Sequence, residues 1–136
     1  MSNIKIRKGP TDYFKDFRSW PNDWMIVEAD KEIGKGLLEV FEDFINSLID
    51  KELSVKTVKS HMSNLSWLGS NIIERLNDGD EKKRRLPTKK LILEYVDDEG
   101  GPLLHFLDIN DVTDFRYHVA YDGTCKQLYK FISTPE

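Results

Sequence analysis

The side chains with the clearest chemical potential are cations in the middle of the chain. Lys56, Lys59 and His61 fall within one predicted helix, and a second cationic group follows its end. That second group consists of Lys82, Lys83, Arg84, Arg85, Lys89 and Lys90. Lys and Arg supply most of the sequence-independent affinity of proteins for the phosphates of duplex DNA. These residues therefore form a candidate nucleic-acid-binding surface; the alternative interpretation is a solvated helix face followed by a solubilising linker.

The net charge of the whole chain is −4, which by itself disfavours binding to a polyanion such as DNA. Residues 51–90 contain ten Lys or Arg and five Asp or Glu, a net charge of +5. Residues 91–136 contain three Lys or Arg and nine Asp or Glu, a net charge of −6. Because a ligand responds to the local field, the basic middle segment keeps duplex DNA as the first predicted partner.

The alternative partner is another protein or a second copy of the chain. Two features favour it, the acidic C-terminal segment and an N-terminal group of large aromatic side chains that is typical of interface anchors. The aromatic group comprises Tyr13, Phe14, Phe17, Trp20 and Trp24. The same group would equally serve as a lid over a helical core, which is the interpretation we favour because an exposed patch of that size promotes aggregation.

The sequence lacks the residue patterns of an enzyme or a metal site. The lone histidines and Cys125 have no metal-ligand spacing. The segment Gly34-Lys35-Gly36 is too short for a phosphate-binding loop. Cys125, near a predicted helix start, is a candidate for a lowered pKa, but no histidine lies near it in sequence to act as its base. We therefore predict a non-catalytic protein with no cofactor, no metal and no small-molecule substrate.

Composition places the chain among ordinary globular proteins. It has 136 residues, of which 39% are hydrophobic and 32% charged, enough for one domain with its own core. A single cysteine cannot form an internal disulfide, and no apolar run is long enough for a signal peptide or a membrane span. The prediction is a cytoplasmic protein that does not enter a membrane.

Apolar residues at helical spacing predict an all-α fold, a single compact bundle of five or six helices with a central antiparallel helix pair. Residues 1–10 are predicted to be a flexible arm and residues 11–136 one helical domain. The core helices are predicted at about 30–52 and 54–78, followed by a basic linker over 80–90. Three further helices are predicted at about 88–96, 109–120 and 124–133, the last two separated by a break at Asp122-Gly123.

The helix over 54–78 has the clearest signals. Ser54 is its predicted N-cap, and Asn77-Asp78-Gly79 is its predicted end. A seam of alternating three- and four-residue steps runs along it and predicts packing against a neighbouring helix. The seam consists of Val55, Val58, Met62, Leu65, Gly69, Ile72 and Leu76.

Residues 53–65 resemble two DNA-binding helical modules. Ser54 to Leu65 is similar to the recognition helix of LuxR-type regulators, which lies in the major groove. Here, however, Leu48 and Glu52 stand where that motif has a small residue and a Gly or Asn. Residues 30–77 also resemble the SAM-like core-binding domain of tyrosine recombinases, through Phe44-Ile45, Leu53-Ser54-x-x-Thr57-Val58-x-x-His61 and Leu65. That resemblance implies a module that clamps duplex DNA. No histidine of this sequence is followed three residues later by arginine, so the family's His-x-x-Arg motif is missing, and we expect DNA binding with the catalytic domain and its recombinase chemistry absent.

The chain from about residue 20 to 131 also resembles a small family of uncharacterised bacterial proteins. The matching segments are Leu53-Ser54-x-Lys56-Thr57, Asn64-Leu65, Leu68-Gly69, Gly100-Gly101-Pro102-Leu103-Leu104 and Thr124-Cys125-Lys126-Gln127-Leu128-Tyr129. This resemblance implies no activity.

Overall fold

Helices are the regular elements of the computed structural model, which describes residues 9–104, 106–108 and 110–134. In chain order they are α1 (Trp20–Trp24), α2 (Asp30–Asp50), α3 (Val55–Leu76), α4 (Thr88–Leu93) and α5 (Val112–Ser133). The described residues also form three 3-10 helices, Pro10–Asp12, Phe17–Ser19 and Glu81–Arg85. The described residues contain no strand, only an isolated bridge between Asp97 and Gly100. The all-α prediction is confirmed.

The start, end and buried face of α3 agree with the sequence analysis. Ser54 has extended backbone, and its hydroxyl oxygen accepts a hydrogen bond of 3.1 Å from the N–H of Thr57, as an N-cap does. Asn77 ends the helix, and Gly79 follows with a φ of 106°. The predicted seam is buried from Val58 to Leu76. Val55 is the exception, because it lies in the first turn and stays half exposed.

Helices α2 and α3 are joined by a short connection and also meet at their other ends. Residues 51–54 link the end of α2 to the start of α3. The side chain of Asn77, just after α3, donates a hydrogen bond of 3.1 Å to Asp30, the first residue of α2. These contacts are the ones that the predicted antiparallel pairing requires; the pairing itself stays a prediction.

The aromatic N-terminal segment covers the core. Phe17, Trp20 and Trp24 are buried, and their rings follow one another at centroid distances of 4.8 and 6.0 Å. The indole N–H of Trp24 donates a hydrogen bond of 3.0 Å to the carbonyl of Ser66 in α3. Its ring lies directly on Gly69, whose missing side chain leaves the space. The prediction of a lid is confirmed for these three residues.

Two segments predicted to be irregular are partly ordered in this structure. The predicted flexible arm falls mostly on residues 1–8, which lie outside the described residues. Its last residue, Pro10, is buried and opens a 3-10 helix, so the prediction of a flexible arm is wrong there. Within the predicted linker 80–90, Glu81–Arg85 forms a 3-10 helix because side chains in it bond to the bundle.

The C-terminal part is one helix where two were predicted. The side chain of Asp111 caps α5 by accepting from the N–H of Asp114 at 3.0 Å, and the helix runs unbroken through Asp122 and Gly123. A glycine inside a helix costs about 1 kcal/mol relative to alanine. Packing of the buried side chains on either side outweighs that cost. These side chains are Tyr121, Thr124, Cys125 and Leu128. The predicted break at Asp122-Gly123 is therefore wrong.

Candidate functional site

The predicted phosphate-binding residues divide into an exposed group and a group already bonded within the protein. The exposed group comprises Lys56, Lys59, Lys82, Arg85, Lys89 and Lys90. Within the described part of the chain, none of these six forms an ion pair. They remain available to a ligand, whereas His61, Lys83 and Arg84 have partners within the protein.

His61 lies between α3 and α5 instead of on the exposed side of α3. Its Nδ1 is 2.8 Å from the hydroxyl of Thr124, and its ring packs edge-on against Phe44 at 6.4 Å. Burial lowers the pKa of His61 below its ordinary value of 6.5, so the ring is neutral at pH 7. The expectation that His61 contacts phosphate is therefore not supported by its position.

Arg84 is bound to a buried carboxylate. Its Nη1 lies 2.7 Å from Oδ1 of Asp30, which is fully buried. The backbone N–H groups of Ile26 and Val27 and the amide of Asn77 donate to Oδ2 of the same carboxylate, at 3.0, 2.9 and 3.1 Å. Burial alone would raise the pKa of Asp30, but these donors and Arg84 lower it below the ordinary value. Arg84 thus fixes the segment after α3 to the start of α2.

Lys83, which lies on the same 3-10 helix as Arg84, also has partners within the protein. Its Nζ lies 3.6 Å from a carboxylate oxygen of Asp80 and 3.6 Å from one of Glu94. It also lies 4.9 Å from the ring centroid of Tyr95, within the range of a cation–π contact. The predicted run of four free cations over 82–85 is therefore reduced to Lys82 and Arg85.

A buried polar contact joins α3 to α5. The side-chain amide of Asn64 donates to the hydroxyl of Thr124 at 2.8 Å and to the carbonyl of Ala120 at 3.3 Å. Asn64 and Thr124 are both buried. A buried amide and hydroxyl are costly unless they are paired, so this contact defines how α5 lies on α3.

Replacing Thr124 with valine is expected to lower the free energy of unfolding by about 1–3 kcal/mol, because Asn64 and His61 then lose an acceptor or donor in a buried site. Urea denaturation of the variant measures the loss. Thr11→Val, at an exposed threonine, is the control and should change stability by less than about 0.5 kcal/mol. Equal stability of the Thr124→Val variant and the wild type would contradict this role for the hydroxyl.

The face of α5 around Asp122 holds the Gly100-Gly101 loop. One carboxylate oxygen of Asp122 accepts from the N–H of Gly101 at 3.0 Å, and the other lies 3.0 Å from Nδ1 of His118. A Cβ added at Gly101 would lie 2.5 Å from the sulfur of Cys125, so only glycine allows this approach. Burial, together with the charge of Asp122, raises the pKa of Cys125 to about 12. The predicted lowering of that pKa is wrong, because Cys125 lies inside a long helix and not at a start.

An exposed apolar surface lies on the N-terminal half of α5. Val112, Phe115 and Val119 recur at helical spacing and are between 53% and 68% exposed; we call these three residues the α5 stripe. No residue over 112–120 is buried. This surface could not be predicted from the sequence, because apolar residues at helical spacing ordinarily face a core. Here the core contacts of α5 come from its second half.

A groove of about 1070 Å³ lies beside the C-terminal half of α5. Helices α2 and α5 supply its apolar side chains, Val40, Phe44, Phe131 and Ile132. The rings of Phe44 and Phe131 pack at 5.5 Å. The charged side chains that line it are Lys51, Lys89, Lys130 and Asp43. The groove is therefore apolar inside and carries a net charge of +2 on its rim.

Comparisons with known proteins leave the resemblances noted from the sequence untested, since no family model, curated protein or solved structure matches the chain. Over the described residues, no helix is long and apolar enough to cross a membrane. In the same part of the chain, no group of three or more His, Cys, Asp or Glu side chains is placed to hold a metal ion.

Proposed function

We propose that this protein is a non-catalytic protein-interaction module that docks through the α5 stripe. The observation that carries the proposal is the exposure of Val112, Phe115 and Val119 along a helix that is otherwise well anchored. Fully burying a Val or Phe side chain contributes about 1.5–3 kcal/mol. A partner that covers the three residues would therefore gain a large favourable free energy of binding.

The spacing of the α5 stripe supports a helix-based docking mode. Steps of three and four residues place the side chains on one face, as in helices that bind an apolar groove. The neighbouring residues Phe106 and Tyr117 are also exposed and contact Trp67 of α3 at ring distances of 5.4 and 6.4 Å. Exposed apolar groups that occur together in this way are typical of interaction sites.

The aromatic N-terminal segment, the other candidate anchor for a partner, is already used inside the protein. Phe17, Trp20 and Trp24 are buried against α2 and α3 and are not available for docking. Of the two features that favoured a protein partner, the acidic C-terminal segment remains, and the α5 stripe lies within it.

The Val112→Glu/Val119→Glu double variant should lose its complex with the partner. Because both side chains are exposed, the variant should fold as the wild type does, while two buried charges at an interface prevent docking. Size-exclusion chromatography of cell extracts, with detection of the tagged full chain, measures the complex directly. The matched control is Val55→Glu, which places the same charge at another half-exposed valine. If the double variant elutes in a large complex at the same position as the wild type does, the α5 stripe is not the docking surface.

A second candidate function is duplex-DNA binding, favoured by the six exposed cations, none of which is ion-paired within the part of the chain that the structure describes. The wild type should then bind a labelled generic duplex at about 50 mM salt and lose affinity steeply by about 200 mM, because phosphate contacts release counterions. Fluorescence anisotropy measures both.

The variant for this test changes Lys82, Arg85, Lys89 and Lys90 to glutamine and leaves Arg84 in place, since Arg84 is bonded to the buried Asp30. It should weaken binding for every sequence and flatten the salt dependence. Lys35→Gln, at an exposed lysine on α2, is the control for loss of one charge elsewhere. Unchanged binding by the fourfold variant, or no binding by the wild type at the lower salt, would rule out this candidate.

A further inference from the structure

We propose that a small cavity between the aromatic N-terminal segment and α3 binds a methylated ammonium group. The cavity has a volume of about 200 Å³, and we call it the aromatic cavity. It is lined by Phe14, Asp16, Trp20, Ser63, Ser66 and Trp67. None of these residues belongs to the α5 stripe, so the inference goes beyond the proposed protein-interaction function and does not depend on it.

Aromatic rings supply half of the lining residues. Phe14 lies in the segment before α1, Trp20 begins α1, and Trp67 lies on α3. The rings of Phe14 and Trp20 have centroids 6.2 Å apart and planes tilted by 59°. Trp20 is 4% exposed, whereas Phe14 and Trp67 are only partly buried. We therefore assign Trp20 to the floor of the aromatic cavity and the other two rings to its walls.

This set of rings suits a cation that carries methyl groups. The face of an aromatic ring is partially negative and attracts a cation within about 6 Å of its centre, and indoles do so most strongly. An unmethylated ammonium is strongly hydrated, and it has N–H donors that aromatic rings satisfy poorly. A quaternary ammonium has no N–H donors, and its methyl groups pack against rings. The aromatic cavity should therefore select a methylated ammonium.

Asp16 supplies a negative charge at the same place. Its side chain is exposed, and it is the one charged residue among the described residues that line the aromatic cavity. Lys15, its neighbour in sequence, is not part of the lining. The Asp16 side chain does not cap the 3-10 helix that follows it, so the carboxylate is not needed to hold that helix. The local charge of −1 favours a cation over a neutral group of the same shape.

Contacts on their other sides hold the rings in place. Trp67 packs edge-on against Phe106 and Tyr117 at ring distances of 5.4 and 6.4 Å. Trp20 packs against Phe17 at 4.8 Å and Trp24 at 6.0 Å. A site whose walls are already positioned loses little free energy to rearrangement when a ligand binds. At about 30 Å³ for each water-sized group, the volume suits a headgroup of about six or seven non-hydrogen atoms, such as choline.

Titration of the isotope-labelled full chain with choline, followed by NMR of the indole N–H groups, tests the site. We expect the Trp20 and Trp67 resonances to shift with a dissociation constant of about 1 mM, as a ligand this small allows. The matched probe is the neutral isostere in which a tert-butyl group replaces the trimethylammonium group. It should bind at least about fivefold more weakly, because it has no charge to interact with the rings and Asp16. No shift with choline, or equal affinity for the two probes, would overturn the inference.

Two variants separate the contribution of a ring from that of the charge. Phe14→Leu keeps an apolar side chain but removes the ring, and Asp16→Asn keeps the shape but removes the charge. Each should weaken choline binding by about two- to fivefold and leave binding of the neutral isostere unchanged. Phe115→Leu and Asp23→Asn make the same changes at exposed positions outside the aromatic cavity and should bind choline as the wild type does. Wild-type affinity in both Phe14→Leu and Asp16→Asn would contradict the assigned site.

The same assay distinguishes two sources of the ammonium group. A short peptide that contains trimethyllysine is compared with choline and with the same peptide carrying unmodified lysine. Tighter binding of the trimethyllysine peptide than of choline would identify a modified protein as the source, and the reverse order would identify a free small molecule. Equal affinity for the trimethyllysine and unmodified peptides would overturn the selection for a methylated ammonium.

Discussion

Arg84→Ala is expected to lower the free energy of unfolding by about 3–5 kcal/mol, the usual cost of leaving one member of a buried ion pair without its partner. Asp30 is fully buried, and Arg84 lies on its Oδ1. The donors from Ile26, Val27 and Asn77 all reach the other oxygen, Oδ2, so Arg84 is the charge that balances this carboxylate. Urea denaturation near neutral pH measures the effect.

Arg85→Ala is the matched control, because Arg85 is the exposed neighbour on the same 3-10 helix. It should change stability by less than about 0.5 kcal/mol. If Arg84→Ala cost no more than Arg85→Ala, the role assigned to the Asp30–Arg84 pair would be wrong.

The same pair sets the acid sensitivity of the protein. The pKa of Asp30 is lowered in the folded state from its ordinary value of 3.8, so its contribution to stability is fully present above 3.8. That contribution is lost as the pH falls through the folded value. Removing Arg84 weakens one cause of the lowered pKa, so the loss of stability between neutral pH and that acidic range should be smaller in Arg84→Ala than in wild type.

Gly69→Ala should destabilise the protein by about 3 kcal/mol, at the upper end of what overpacking a core costs. The added Cβ would overlap three atoms of the Trp24 indole, lying 2.5 Å from Cε2 and 2.6 Å from Cη2. That ring cannot move aside easily, because its N–H is bonded to Ser66 and it packs against Phe41. Thermal or urea denaturation shows the loss.

Gly123→Ala is the control for Gly69→Ala. Both glycines lie inside long helices, but Gly123 faces open space. Alanine there should raise stability by about 0.5–1 kcal/mol through helix propensity alone. Opposite signs for the two variants are expected; a stable Gly69→Ala protein would show that Trp24 does not need the space above α3.

The parts of the fold that the sequence predicted correctly depend on local signals. Ser54 caps α3 through a bond to a residue three positions away, and the seam from Val58 to Leu76 follows from helical periodicity. Such signals act over one or two turns and can be recognised in the residues themselves. The end of α3 before Gly79 was predictable for the same reason.

The errors arise where distant parts of the chain override a local signal. Gly123 is a reasonable helix breaker by propensity, but side chains around it pack on α3 and hold α5 together. Arg84 and Arg85 are indistinguishable in sequence, and only the position of Asp30, 54 residues earlier, separates a structural cation from a free one. The sequence predicted His61 on an exposed face. Its actual position depends on a contact with Thr124, which is 63 residues away and leaves no local signal around His61.

The candidate site was only partly visible in the sequence. The helical spacing of Val112, Phe115 and Val119 is plain, but it does not tell whether the face is covered. The α5 stripe is exposed because the core contacts of α5 come from its second half. The polar contact between Asn64 and Thr124 holds that second half against α3. The groove beside the C-terminal half of α5 is lined by residues of α2, α4 and α5, so no contiguous stretch of sequence indicates it.

Photo-crosslinking in cells tests the central claim, that the α5 stripe is a docking surface, most directly. A photoreactive phenylalanine analogue replaces Phe115 in the full chain, and a matched protein carries it at Val55, which is similarly exposed on α3. The proposal predicts discrete crosslinked species from position 115 that the Val55 control lacks. Mass spectrometry then distinguishes a second copy of this chain from another protein. Equal or absent crosslinking from the two positions would contradict a docking role for α5.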